Sequence, residues 1–277
     1  MKRITGNTFV MEGNTNVGVY VGEEIYLVDT GTSRKILKEI LEEFPGRKIV
    51  VLNTHHHADH ISLNRYVQRK TGCEIFAPSG EVSLIENPIL EPYILFGSSP
   101  PLSLRKSLFV AQPSKVKPLK ETDIPLKVVE LPGHTPFHVG YLTPDGVLFS
   151  GDLYFSSEIV EKYFFPYHSD ITTLKKTVED FKSLEFEVVV PSHGEPSKDP
   201  SEDLSFMMER IEALESEVLK LIDGKTQDEV SMELSSRFDL RISGGFYYLL
   251  RSFVGAVLVD LESENLVVEE NGIWRRV

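Results

Sequence analysis

The feature that most constrains this chain is a histidine-rich segment directly after a predicted strand. Residues 48–52 form a β-branched run typical of a buried strand, and residues 54–60 follow it with the pattern His-x-His-x-Asp-His. With 8 His in the chain, chance placement of this pattern has a probability of about 3 in 10,000. His55 and His57, two apart in an extended segment, project to the same side and can share one metal ion. The Asp and His that end the pattern lie beyond the turn and can face a second ion.

Three later segments bring further ligands to the ends of predicted strands. They are Gly133-His134-Thr135, Gly151-Asp152 and Ser192-His193-Gly194. Ligands at the carboxyl ends of strands converge in an open α/β sheet. Imidazole and carboxylate together form a donor set for zinc, manganese or iron. The sequence therefore predicts a metal centre built from several strand ends.

Strands and helices alternate along the first 200 residues. Predicted strands cover residues 16–21, 25–28, 48–52, 127–131, 146–149 and 186–190, and predicted helices cover residues 33–44 and 172–184. This interleaving predicts an α/β layered fold.

In order and spacing, the motifs resemble the five motifs of the metallo-β-lactamase fold. The residues that carry the resemblance are Tyr26-Leu27-Val28-Asp29-Thr30-Gly31, His55-x-His57-x-Asp59-His60, Gly133-His134-Thr135, Gly151-Asp152 and Ser192-His193-Gly194. The chain looks like the glyoxalase II and lactonase branch, because its second motif carries both Asp59 and His60. The resemblance spans residues 1 to about 195 and implies an αβ/βα four-layer sandwich with a binuclear centre along one edge.

The resemblance also implies a role for each motif residue. His55, His57 and His134 would hold the first metal ion, Asp59, His60 and His193 the second, and Asp152 would bridge both. The expected cofactors are two divalent ions, zinc before manganese or iron. Asp29 is expected to orient a ligand or a strand end rather than to bind metal.

Such a centre predicts hydrolysis of an ester, thioester or lactone. Metal ions bring the pKa of bound water to about 7, and a metal-bridging hydroxide would attack the carbonyl carbon while one metal takes the developing oxyanion. Asp59 is a candidate for relaying a proton to the leaving group. Tyr154, two residues after Asp152, is a candidate for reaching the oxyanion, as a tyrosine near this place does in lactonases.

Three histidines stand outside the ligand sets. His56 alternates with the ligands, so we interpret it as structural. His138 is expected to make a buried hydrogen bond beside the centre. His168 belongs to an aromatic segment, residues 163–168, for which a pocket lining and packing on the sheet both stay open.

Two other activities share these motifs. β-Lactamase-like endoribonucleases cleave phosphodiesters, and persulfide dioxygenases keep the same histidines but bind one iron. A glutathione thioesterase normally continues into a region with basic residues and tyrosines that grip glutathione, and here that region is acidic.

Residues 201–277 predict a small helical module after a catalytic domain of residues 1–200. An apolar stripe over residues 207–222 predicts one helix, a capping box of Thr226 and Glu229 starts a second, and a third covers about 245–261. A hairpin around Asn271-Gly272 completes a winged-helix-like module. With 8 Lys plus Arg against 16 Asp plus Glu, this part has a net charge of −8, which disfavours a nucleic-acid partner.

Residues 78–125 hold eight of the 16 prolines and predict an irregular excursion on the surface. It carries the main basic cluster, Arg105, Lys106, Lys115, Lys117 and Lys120. A substrate-facing lid and a solvated loop both fit this composition.

Composition excludes several other classes. The single Cys73 excludes a disulfide framework and a Cys-based zinc finger. The net charge of −13 opposes binding to phosphate backbones. The most apolar stretch, residues 246–261, is shorter than a membrane span. We expect a cytoplasmic protein with a small-molecule substrate and no membrane partner, and the sequence allows a homo-oligomer.

Overall fold

A computed structural model describes residues 1–240 and 244–277, and within them the chain forms ten α-helices and thirteen strands. The strands are β1 (Lys2–Thr5), β2 (Thr8–Met11), β3 (Val17–Val21), β4 (Ile25–Val28), β5 (Ile49–Leu52), β6 (Glu74–Ala77), β7 (Lys117–Pro118), β8 (Lys127–Glu130), β9 (Val139–Leu142), β10 (Val147–Gly151), β11 (Val188–Pro191), β12 (Val267–Glu270) and β13 (Ile273–Arg276). The α-helices are α1 (Arg34–Glu43), α2 (Ala58–Ile61), α3 (Asn64–Thr71), α4 (Val82–Glu86), α5 (Leu90–Phe96), α6 (Ser157–Tyr163), α7 (Ile171–Phe181), α8 (Ser201–Leu221), α9 (Gln227–Arg237) and α10 (Phe246–Ser263).

Two mixed sheets form the centre of the molecule. In the larger sheet the described strands follow one another from β1 to β7, antiparallel up to β4 and parallel from β4 to β7. The smaller sheet has the order β11-β10-β9-β8, with β10 and β11 parallel. Parallel neighbours place their carboxyl ends at the same edge, which is where the motif residues follow the strands.

Alternating side chains of the strands build separate cores on the two faces of each sheet. In β4, Ile25 and Leu27 pack with α1 on the outer face, whereas Tyr26 and Val28 pack between the sheets. In β10, Leu148 faces away from the other sheet into a core that contains α7. The layers therefore run helix, sheet, sheet, helix, and the predicted α/β four-layer sandwich is confirmed.

The C-terminal helices share a core with the second sheet. Leu174 of α7 packs in one cluster with Met207 and Ile211 of α8 and Phe253 of α10, and all four side chains are fully buried. Burial of each such side chain contributes about 1.5–3 kcal/mol. The capping box at Thr226 and the hairpin of β12 and β13 are present as predicted. The division into two domains at residue 200 stays a prediction.

The proline-rich excursion is more ordered than its composition predicts. It forms α4, α5 and two 3₁₀ turns (Leu102–Leu104 and Leu119–Glu121), and β7 extends the larger sheet beside β6. Leu104 and Phe109 pack against Tyr248 and Leu249 of α10. The excursion is therefore fixed onto the C-terminal helices by apolar contacts.

Among the described residues, no helix combines the length and the apolar character needed to cross a membrane. The cytoplasmic location stays a prediction.

Candidate metal centre

Each predicted ligand lies just beyond the end of a strand. The His-x-His-x-Asp-His segment follows β5, His134 follows β8, Asp152 follows β10 and His193 follows β11. The fold brings these segments, which are far apart in sequence, to one edge of the sandwich.

The first predicted ligand set converges on a single point. His57 Nδ1 lies 3.0 Å from His55 Nε2 and 2.8 Å from His134 Nε2. The three ligand atoms lie within 4.8 Å of one another, close enough to bind one metal ion. All three rings are buried or nearly so, in walls made by strand ends.

The other nitrogens of these rings are held by oxygen atoms. His55 Nδ1 donates to Thr54 Oγ1 at 2.9 Å, and His134 Nδ1 donates to the Tyr167 carbonyl oxygen at 2.9 Å. His57 Nε2 faces Glu91 Oε1 at 3.6 Å. A proton on each outer nitrogen leaves a lone pair on each converging nitrogen. Lone pairs at this distance repel one another unless a cation lies between them, so the donor set fits a metal ion.

The second predicted ligand set lies next to the first. Asp59 Oδ2 lies 3.2 Å from His193 Nε2 and 3.7 Å from His60 Nε2. Thr15 Oγ1 donates to Asp59 Oδ2 at 3.0 Å, and His193 Nδ1 donates to the Asn14 carbonyl oxygen at 2.6 Å. These contacts fix the orientation of a carboxylate and an imidazole toward a second ion.

Asp152 lies between the two sets. Its Oδ1 is 3.3 Å from His60 Nε2, and its Oδ2 is 3.3 Å from His134 Nε2 and 3.6 Å from His193 Nε2. Within the described residues, His60 Nε2 and Asp152 Oδ1 are buried without a hydrogen-bond partner. Buried polar atoms need partners. Metal ions on both sides of Asp152 would supply them, as expected for a bridging carboxylate.

Asp29 forms a hydrogen bond with His60, a histidine of the second predicted set. Its Oδ2 accepts hydrogen bonds from His60 Nδ1 and Thr54 Oγ1, both at 2.8 Å, and its Oδ1 accepts from Thr54 N at 2.9 Å. Asp29 has φ of +60°, which turns the chain sharply after β4. Asp29 therefore fixes the orientation of His60, one of the predicted ligands.

The charges of the centre suit metal binding. Burial, and then the neighbouring histidines, hold the pKa values of His55, His57 and His134 well below the usual range, so these rings are neutral, which is the form that binds a metal ion. Burial acts to raise the pKa of Asp152, but nearby histidines hold it well below its usual value. The carboxylate is therefore ionised.

His138 supports the bridging residue from the side of the sheet. Its Nδ1 donates to the Leu131 carbonyl oxygen at 2.8 Å, and its Nε2 accepts a hydrogen bond from the Asp152 backbone N at 3.0 Å. Gly151 makes this approach possible, since a Cβ there would lie 2.3 Å from His138 Nε2. The buried hydrogen bond expected for His138 is present.

His56 belongs to neither predicted ligand set but lies beside His57 and Glu91, with one ligand atom of each within 4.8 Å of the others. Its structural role stays a prediction. It forms a short contact with Glu81 Oε2, and Thr135 Oγ1 donates to Glu81 Oε1 at 2.6 Å. Burial lowers the pKa of His56, but Glu81 raises it above the usual value. The buried Glu81 thus ties the second motif to the third.

A large cavity opens above the centre. It has a volume of about 1150 Å³, and its floor includes the ligands His57, Asp59, His134, Asp152 and His193. A substrate in this cavity can reach both ligand sets.

Tyr154 and His168 do not reach this cavity. Tyr154 is 1% exposed, belongs to the core below the centre, and is not among the residues that line the cavity. The structure therefore does not support Tyr154 as an oxyanion donor, because its side chain is buried away from the cavity. Strand β10 ends at Gly151, so Asp152 and Tyr154 lie beyond the strand. His168 packs against His134 and Phe155, at centroid distances of 5.3 and 5.5 Å.

Several residues of the site were not named individually as candidates. Glu91 comes from α5 in the excursion, Thr15 precedes β3, and Tyr167 precedes α7. Thr54 stood inside the histidine segment, and its side chain links Asp29 to His55. The sequence offered a clue for three of these residues: Thr54 stands next to a predicted ligand, Tyr167 belongs to the aromatic segment 163–168, and Glu91 belongs to the excursion. It offered none for Thr15.

Comparison with known sequences supports the motif assignment. The profile of the metallo-beta-lactamase superfamily matches residues 10–193. The chain is 30% identical over 140 residues to a hydroxyacylglutathione hydrolase of Shewanella oneidensis, covering 48% of this chain and 45% of that protein. It is 34% identical over 143 residues to the probable metallo-hydrolase YybB of Bacillus subtilis, covering 50% and 60%. The match thus spans about half the length of these curated relatives.

Comparison with solved structures extends the similarity to the whole chain. A metallo-beta-lactamase family protein from Thermus thermophilus superposes with a TM-score of 0.72 at 22% identity, covering 98% of this chain and 99% of that one. TTHA1623, solved in a di-iron-bound form, gives a TM-score of 0.50 at 27% identity over 69% of this chain and 94% of that one. By its fold, its motifs and the profile match, the chain belongs to the metallo-beta-lactamase superfamily, whose members include metal-dependent hydrolases.

Proposed function

We propose that this protein hydrolyses a carboxylic ester, thioester or lactone at a centre of two divalent metal ions. The observation that carries the proposal is Asp152, whose carboxylate lies within 3.6 Å of histidines from both ligand sets at the floor of one cavity. The hydroxyacylglutathione hydrolases among the relatives favour a thioester or ester over a phosphodiester.

The donor set favours zinc. Neutral imidazoles and carboxylates are its usual ligands in catalytic sites. When bound, such ions polarise a carbonyl group and lower the pKa of a coordinated water to about 7. The di-iron form of TTHA1623 makes iron the main competitor.

The protein's own residues keep this centre ready for attack on a carbonyl. Asp29 and Thr54 hold ligand rings in one orientation, so little reorganisation is needed. Asp59 is the ligand side chain most open to the cavity, at 36% exposure against 6% for Asp152. This exposure supports Asp59 as the group that passes a proton to the leaving group.

The test is the variant Asp152→Asn, compared with the exposed control Asp123→Asn. Elemental analysis of untagged wild-type protein is expected to give two zinc ions per chain, and the Asp152 variant is expected to keep one at most. Hydrolysis of p-nitrophenyl hexanoate and of an acyl thioester should fall by at least 100-fold, because one carboxylate serves both sets. The control should match the wild type.

Two results would overturn the proposal. Full hydrolysis by the Asp152 variant would show that the bridging carboxylate is not needed. A single iron per chain, with uptake of oxygen in place of ester hydrolysis, would assign the persulfide dioxygenase reaction instead.

A further inference from the structure

The cavity wall away from the ligands is apolar and comes from three separate regions of the chain. The excursion contributes Leu108 and Phe109, the segment after Asp152 contributes Phe155, Ile159, Val160, Tyr163, Phe164, Phe165 and Tyr167, and the C-terminal part contributes Leu240, Phe246 and Leu249. Pockets of this kind hold the apolar part of a ligand, while a few polar groups fix its orientation.

Part of this apolar wall stays open to water at the mouth of the cavity. Leu108 is 53% exposed, Tyr163 48% and Phe246 36%. Large apolar side chains around a cavity mark a surface that a ligand covers. An apolar group of several carbon atoms, extending from the centre toward the mouth, would cover them.

Among the residues that the structure describes, 1–240 and 244–277, the charged ones in the wall are nearly all acidic. Apart from the metal ligands, the charged residues that line the cavity are Glu12, Glu91, Glu158, Glu195, Glu202, Asp203 and Lys162. Three of the acids have partners: Lys2 pairs with Glu12 and Glu195, and Asp203 Oδ1 accepts a hydrogen bond from Ser157 N at 2.8 Å. Glu91, Glu158 and Glu202 remain as acids that a ligand would meet.

Glu91 differs from the other acids of the wall because it is buried. It is only 8% exposed, borders the cavity, and its contact with a nitrogen is the 3.6 Å approach to His57 Nε2. Burial raises the pKa of Glu91 to about 7, so this carboxyl is only partly ionised near neutral pH. The negative charge of the wall therefore comes mainly from Glu158 and Glu202, which are exposed and line the cavity.

From these observations, and resting on the proposed function, we infer that the substrate is an apolar acyl compound with no anionic group, neutral or cationic. Glutathione thioesters carry carboxylates, and nucleic acids carry phosphates. Both meet the acidic wall before they reach the metal centre, so this protein's substrate differs in charge from that of its hydroxyacylglutathione hydrolase relatives.

The test uses three p-nitrophenyl esters of one chain length, measured on the zinc-loaded protein. They are the hexanoate, the 6-(trimethylammonio)hexanoate and the adipate monoester, which are neutral, cationic and anionic. We expect kcat/KM for the anionic ester to be lower than for the other two by about tenfold, at the low end of the range in which charges lining a cleft alter association with charged ligands. This difference in kcat/KM should become smaller in high salt, because salt screens such charges.

Two double variants separate the wall from the metal centre. Glu158→Gln with Glu202→Gln removes two exposed acids of the wall, and Glu161→Gln with Glu209→Gln removes two exposed acids from the same helices, α6 and α8, outside the cavity lining. The first pair should narrow the gap between neutral and anionic ester at least threefold, and the second pair should leave it unchanged. If the metal ions alone caused the difference in kcat/KM between the neutral and the anionic ester, neither double variant would change it.

A binding measurement keeps the inference independent of catalysis. Non-hydrolysable amides of the same three acids are titrated by calorimetry against the zinc-loaded protein. If no ester is hydrolysed but the anionic amide binds about tenfold more weakly, the proposed function fails and the inference stands. If the anionic ester and amide match the neutral ones, the inference is wrong whether or not hydrolysis occurs.

Discussion

The variant Asp29→Asn tests the centre without touching a ligand. Asp29 is 1% exposed, and both of its oxygens accept hydrogen bonds from donors. Asparagine keeps the size of the side chain and tolerates the φ of +60°. In either orientation, however, its NH₂ group faces a donor, either Thr54 N or His60 Nδ1.

The size of the effect follows from the bonds that are lost. A hydrogen bond to a charged group contributes about 1.5–3 kcal/mol, and one such bond, from His60 Nδ1, orients a metal ligand. Loss of a partner that orients a ligand histidine costs about 10–100-fold in metal affinity, or about 1.4–2.7 kcal/mol. The two estimates agree, so we expect the second metal ion to bind about 10–100-fold more weakly, with the first ion less affected.

The assay is a competition titration of the metal-free variant against a chromogenic zinc chelator, with urea unfolding alongside. We expect the free energy of unfolding of the metal-free protein to fall by about 1.5–3 kcal/mol. Asp239→Asn is the matched control, because Asp239 also has positive φ (+48°) but is exposed. Unchanged affinity for the second ion in Asp29→Asn would refute the orienting role.

Three further predictions concern the fold and the metal ions. Gly151→Ala is expected to lower the free energy of unfolding by roughly 2–4 kcal/mol, because its φ is +58° and the added Cβ would lie 2.3 Å from His138 Nε2; urea unfolding measures this. Ile211→Ala should cost about 2–5 kcal/mol in the same assay, whereas Met232→Ala, at a side chain 61% exposed, should change it little. Removal of metal by a chelator should lower Tm, since an ion free at 100 times its Kd stabilises by about 2.7 kcal/mol, and an unchanged Tm would contradict the centre.

Helices and strands were predictable where apolar residues recur at a clear helical or strand spacing. Helix α7 was expected over 172–184 and covers Ile171–Phe181, and the hairpin of β12 and β13 lies where its turn residues indicated. Strand β1 was not predicted, because Lys2–Thr5 is an edge strand with an exposed or half-exposed side chain at every position. Its structure comes from pairing with β2, which local sequence does not encode.

The predicted metal ligands could be found from the sequence, whereas the residues that hold them in place could not. The ligands sit beside strand ends, so local sequence and topology together specify them. Their supporting partners come from distant segments: Glu81 lies 25 residues from His56, and Tyr167 lies 33 residues from His134. No local pattern marks such partners. The candidate role of Tyr154 came from its position near Asp152 and from the resemblance to lactonases, and neither signal contains the tertiary packing that buries this side chain.

The predicted metal ligands and the residues of the cavity wall lie in different parts of the chain. The predicted ligands are positioned by the backbone at strand ends, in segments that the superfamily profile covers. The wall residues Phe246 and Leu249 lie beyond the matched range of residues 10–193, and Glu91 and Leu108 lie in an excursion whose path is set by packing on α10. Relatives can therefore share the ligands without sharing the wall. Since chemistry follows the ligands and selectivity follows the wall, a relative's substrate is a weaker guide to this protein than the charge and shape of its own cavity.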